Sequence, residues 1–133
     1  MAIAASKTPD LSSQAAAGAA LRTFFSIAQA WQLSADESAT LLGIPRSTMF
    51  RWKSHPPASL PRDALERLSL VFGIYKALQV LLPVPERADA WLRRPNDAPP
   101  FGGRPALDRL LSGLTSDLYV VRTYLDAQRG GWS

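Results

Sequence analysis

At 133 residues, with 47% hydrophobic residues, four Trp, five Phe and three Tyr, the chain can bury one ordinary core or two small helical modules sharing one, and general disorder is excluded despite eleven Pro and eight Gly. The absence of Cys excludes disulfides and thiolate metal sites, and nothing argues for an oxidising compartment, so a cytoplasmic location is expected. Fifteen Lys and Arg against eleven Asp and Glu give +4, mostly from Arg, which favours phosphate or acidic-protein contacts.

Residues 1–13 read as a flexible tail, because small residues and Pro9 leave no repeated apolar face. Ser6 to Asp10 and Ser12 to Gln14 also break any run that could serve as a signal or membrane span, so no membrane association is expected. From Gln14 to Trp31, the spacing of Leu21, Phe24, Phe25, Ile27, Ala28 and Trp31 predicts a first amphipathic helix. Ser34 followed by Glu37 has the capping-box spacing and starts a second helix, which Gly43 ends. Pro45 opens a third helix running through Lys53, since the fixed φ and missing amide of proline are tolerated in a first turn.

The second and third helices have the internal spacing of a helix-turn-helix. Ala39 is small enough for close helix approach, Gly43 permits a left-handed turn, and Met49 places a hydrophobe beneath the third helix, with Leu42, Ile44 and Trp52 completing a small core. With those positions inward, Arg46, Ser47, Phe50 and Arg51 face outward as base-edge and phosphate contacts would require, and Lys53 lies near the backbone of a bound duplex. Phe50 either meets a thymine methyl group or packs on a neighbouring helix. Ser47 and Thr48 are equally consistent with hydrogen bonding at a helix start.

Leu60 to Leu82 is the longest periodic stretch and predicts a buried central helix covered on more than one side, with Pro83 and Pro85 ending it. Glu86 to Leu92, Pro105 to Leu111 and Asp117 to Gln128 predict three further helices, the last stopping at Gly130. Between the first two of these lies a Pro- and Gly-rich segment in which Phe101 stands beside Gly102 and Gly103. Its mixture of apolar and backbone-permissive residues suits a presented loop.

No catalytic constellation emerges. The one His, His55, sits in a proline turn without a second His or a Cys to help hold a metal. Asp36, Glu37, Asp63, Glu66, Asp89, Asp108 and Asp126 lie in helices beside basic residues, where caps and surface pairs are expected rather than an acid/base dyad. Gly102-Gly103-Arg104-Pro105 lacks the lysine of a phosphate loop and the glycine spacing of a dinucleotide loop. No cofactor is expected.

The helix-turn-helix spacing together with WLRRPN, FGGRPALDRLLSG and VVRTYLDAQRGGW resembles the Xre/MbcA/ParS type II antitoxins over nearly the whole chain except the N-terminal tail. Two departures are modest: DAPP separates Asn96 from Phe101, and Ala106 intervenes between Pro105 and Leu107. The resemblance implies an all-α protein with a flexible segment 1–13, an Xre-like helix-turn-helix domain over 14–78 and, packed on it, a small helical toxin-binding domain over 79–133. It further implies a partner, a RES-domain toxin that consumes NAD or transfers ADP-ribose, with any NAD belonging to that partner. Operator DNA is implied as a second ligand. Carried onto this chain, it makes Asn96, Phe101, Gly102, Gly103, Arg104 and Pro105 the interaction loop, held at its base by Trp91, Leu107 and Leu111, and adds Arg122, Arg129 and Trp132 as a terminal region that covers the NAD cleft of the toxin. A homodimer is expected, because one small helix-turn-helix binds weakly and two-fold operators reward symmetry. Two other function classes stand beside this one: a repressor with a C-terminal dimerisation domain, and a small hydrolase.

Overall fold

The computed structural model describes residues 13–130, so residues 1–12 of the expected tail, and Trp132, lie outside the described residues. Seven helices account for its regular structure: α1 (Gln14–Ala30), α2 (Ala35–Leu42), α3 (Arg46–Ser54), α4 (Arg62–Leu81), α5 (Pro85–Trp91), α6 (Ala106–Leu110) and α7 (Thr115–Gln128). Among the described residues there is no strand, and no helix is long and apolar enough to cross a membrane.

Local chemistry sets the ends of the first two helices. The amide of Ala16 donates to the Ser13 hydroxyl at 3.1 Å and opens α1. At the start of α2 both halves of the capping box form: Glu37 N–H donates to Ser34 Oγ at 3.1 Å and Ser34 N–H donates to Glu37 Oε1 at 2.8 Å. Gly43 ends α2 in the left-handed region at φ 72°. Gln32 takes the same kind of conformation after α1, at φ 58°, where a glycine would be less strained. It is held there by Arg93, whose Nη2 donates to the carbonyls of Trp31 and Gln32 at 3.0 and 2.8 Å. A guanidinium brought from far along the chain thus satisfies carbonyls that a helix leaves without partners at its C-terminus.

The core is continuous through α4. Leu21, Phe24, Ile27 and Ala28 of α1, the Trp31 that follows it, and Leu41 and Leu42 of α2 face it from one side, while Ala88 and Trp91 of α5 and Leu118, Val121 and Leu125 of α7 face it from the other. The most extensive packing is between α4 and α7. Leu68, Val71, Ile74, Ala77 and Leu78 are accordingly buried, as the apolar character of the stretch predicts. Cover is incomplete at its end: Val80 is exposed and Leu81 and Leu82 are half-buried.

Candidate functional site

Two surfaces carry the residues singled out from the sequence, one on α3 and one on the loop ahead of α6. On α3, Met49 and Trp52 are buried against the first two helices, together with Ala39 and Leu42. Their inward phase turns Arg46, Ser47, Phe50, Arg51 and Lys53 outward, and all five are exposed. The helix has three cationic side chains and no acidic one. Arg46 Nη1 pairs with the Asp36 carboxylate at 3.3 Å, and its guanidinium carbon lies 5.4 Å from the centroid of the Phe50 ring. Lys53 Nζ lies over the Phe25 ring at 5.3 Å. Arg51 makes no hydrogen bond or ion pair within the described residues and is free to meet an anion.

Gly43 has a second function beyond its turn. A Cβ there would stand 2.5 Å from Arg67 Nε, so the missing side chain leaves room for a buried guanidinium. Arg67 donates from Nε to Asp63 Oδ2 at 2.9 Å, from Nη1 to the Thr40 carbonyl at 3.4 Å and from Nη2 to the Gly113 carbonyl at 2.8 Å. It therefore ties the end of α2 to the turn between α6 and α7. Arg67 is absent from the candidate residues read from the sequence, yet a signal exists: it occupies the apolar stripe of α4 between Ala64 and Leu68, one turn after Asp63.

The loop between α5 and α6 is closed on itself. Leu107 N–H donates to the Leu92 carbonyl at 3.0 Å, and Pro95 and Pro105 form an isolated antiparallel bridge across its neck. Inside, Asn96 Oδ1 accepts from Ala98 N–H at 2.9 Å and its carbonyl accepts from Gly103 N–H at 2.7 Å. Gly102 and Gly103 have φ of 58° and 89° with open space at the Cβ position or an ordinary contact, so conformation and not crowding requires glycine at both. Arg109 Nε donates to the Pro100 carbonyl at 2.6 Å, and its Nη1 pairs with Asp117 of α7.

Phe101, at the centre of the interaction loop, is turned inward. The ring is 5% exposed and packs edge-on against Trp91 at 5.9 Å and Tyr124 at 5.1 Å, whose own rings stack at 6.3 Å. Burying an aromatic ring in that cage is more favourable than displaying it, so Phe101 anchors the loop and leaves Gly102, Gly103 and Arg104 at its surface. Arg104 reaches only Asp108, at 2.9 Å, and stays 77% exposed. Asn96 and Pro105 are half-buried in the frame of the loop.

Arg122 of α7 does not converge with this tip. Arg122 pairs with Asp126 at 3.1 Å and lies against Gly73 of α4, where a Cβ would collide with its guanidinium. It sits two residues from Tyr124, about 200° around the helix, so it occupies a different face from the one that grips the loop. Arg129 caps α7 and is exposed.

The carboxylates behave as caps and partners. Asp36, Asp63, Asp108, Asp117 and Asp126 each pair with an arginine. Burial raises the Asp89 carboxyl above its ordinary value, the hydrogen bond from Gln79 opposes that shift, and the Glu86 charge adds to it. The Tyr119 hydroxyl donates to Glu66 at 2.7 Å, and that bond holds its pKa above the ordinary 10.0. Neither group is joined to a nucleophile, and among the described residues no His, Asp and Glu cluster could hold a metal.

Two families match the chain in succession. The antitoxin Xre-like helix-turn-helix domain matches residues 10–73, and the antitoxin Xre/MbcA/ParS C-terminal toxin-binding domain matches residues 77–131. A protein of Sinorhizobium fredii (strain NBRC 101917 / NGR234), named only as uncharacterized protein y4oB, is 54% identical over 114 residues, covering 85% of this chain and 86% of the relative.

Proposed function

Because the chain belongs to the Xre/MbcA/ParS family of antitoxins, a family of binding proteins and not of enzymes, we propose that its toxin is a RES-domain enzyme that consumes NAD or transfers ADP-ribose. The chain covers the NAD site of that toxin with the tip of the α5–α6 loop and the region after α7. Asn96 and Pro105 hold the frame of the tip, Gly102, Gly103 and Arg104 touch the toxin, and Phe101 acts from beneath. Arg129 and Trp132 belong to the same contact, and Arg122 joins it if its guanidinium leaves the α4 seam. The observation that carries this assignment is the exposed Arg104 beside two left-handed glycines, on a loop braced by its own hydrogen bonds. A braced tip loses little conformational entropy on docking, and an exposed guanidinium held only by Asp108 can replace contacts that the toxin makes to the phosphates of NAD.

The same chain represses its own operon as a homodimer through α3, where Arg51 and Lys53 meet phosphates and Arg46, Ser47 and Phe50 meet base edges. Co-expression with the product of the neighbouring gene, co-purification, and an assay of NAD consumption with and without the chain test the first part. A complex with suppressed NAD chemistry is expected, and Arg104→Ala weakens it without altering thermal unfolding. No complex and undiminished NAD consumption would leave a repressor with a dimerisation domain as the better account. Operator binding should fall steeply with salt, and a flat response refutes phosphate contact.

A further inference from the structure

We propose that Arg46 and Phe50 form one reading unit for a guanine and a neighbouring thymine in the major groove, the thymine being selected by its C5 methyl group. The proposal rests on the operator-binding part of the function above and names the base chemistry that α3 selects. The two residues are one turn apart on the outward face of α3, and the guanidinium carbon sits 5.4 Å from the ring centroid. They reach positions one to two base steps apart on a duplex: four residues of helix rise about 6 Å, against about 3.4 Å per base step.

The chemistry of each side chain selects its base. A planar guanidinium matches the O6 and N7 acceptors of guanine, and the thymine methyl is the apolar group that the major groove presents. Arg46 spends Nη1 on Asp36 at 3.3 Å, and its other donors have no partner among the described residues. Asp36 therefore orients the side chain over the ring while leaving donors for a base. Phe50 is 44% exposed on a helix whose other charged groups are all cationic, an apolar ring set among groups that attract phosphate. Water is a poor partner for that ring, and a methyl group held beside the guanidinium is a good one.

The test uses the full chain and the duplex it protects upstream of its own gene. Each thymine in turn is replaced by deoxyuridine, which removes only the methyl, and each guanine by 7-deazaguanine, which removes N7. One thymine in a half-site should show a loss of about four-fold, the effect of withdrawing one methyl from an apolar contact. A guanine one or two steps from it should be sensitive to loss of N7. Phe50→Ala should abolish the deoxyuridine penalty and Arg46→Ala the 7-deazaguanine penalty, with Arg46→Ala itself weakening binding roughly 5- to 150-fold. A duplex bound equally well with thymine or deoxyuridine everywhere, or a penalty that persists in Phe50→Ala, overturns the proposal and leaves operator binding intact. A Phe50→Ala chain that loses its dimer on gel filtration while keeping the deoxyuridine penalty also overturns it and makes the ring a contact between copies. Failure to bind any upstream duplex removes the operator-binding function, and this proposal with it.

Discussion

Truncating Phe101 to alanine separates an anchor beneath the loop from a contact on its surface. The ring is 5% exposed and touches Trp91 and Tyr124 edge-on, so the substitution removes an almost fully buried aromatic group. A buried aromatic side chain withdraws about 150–250 Å2 from water. At about 25 cal/mol per Å2 this is roughly 4–6 kcal/mol, an upper bound because the unfolded chain already covers part of that area. Alanine keeps its methyl group, and the loop can settle partly into the space. The expected loss is therefore about 3 kcal/mol, the lower end of measured phenylalanine-to-alanine changes. Such a loss is a large share of the roughly 5–15 kcal/mol that holds a domain together. Urea unfolding followed by the Trp fluorescence measures it, with an unchanged slope required for the comparison. Phe101→Leu keeps most of the volume and should lose no more than about 1.5 kcal/mol. Toxin affinity should track stability across the two variants, because Phe101 acts by holding the tip. A Phe101→Ala chain that unfolds like the parent, yet no longer binds toxin, refutes the anchor and returns the ring to the interface.

Two other substitutions probe the joints of the fold. In Gly73→Ala the new methyl gains about 1 kcal/mol of helix propensity, but it collides with the Arg122 guanidinium, which must swing out; breaking a half-exposed pair costs about 0–1 kcal/mol, so the single change should be nearly neutral and the same change in an Arg122→Ala background should stabilise by about 1 kcal/mol. Equal effects in the two backgrounds, read by thermal unfolding, refute the seam contact. Arg67→Ala leaves the Gly113 carbonyl without its donor and the Thr40 carbonyl with only Gly43 N–H, and should destabilise by about 1–3 kcal/mol; Arg67→Lys should recover no more than half, since one ammonium cannot span three acceptors, and full recovery in urea unfolding contradicts the bridging role.

Much of the helical framework is legible along the chain because its signals act over a few residues. Ser34 and Glu37 begin α2, Gly43 ends it, and the phase of Met49 and Trp52 follows from α3 itself, so the exposure of Arg46, Ser47, Phe50, Arg51 and Lys53 is a local consequence. The motif residues around the α5–α6 loop carry the resemblance to the antitoxin family for the same reason: they are contiguous. Tertiary structure decides what contiguity cannot. Whether an aromatic beside two glycines points out or in depends on Trp91 of α5 and Tyr124 of α7, which only packing brings to Phe101. Whether Arg122 is free depends on Gly73 of another helix, and Arg67 becomes a bridge only because the α6–α7 turn arrives above Gly43. Short-range hydrogen bonding sets where helices begin and end, whereas burial is a property of the assembled core, and so the direction of each side chain at a junction is settled only when distant helices meet there.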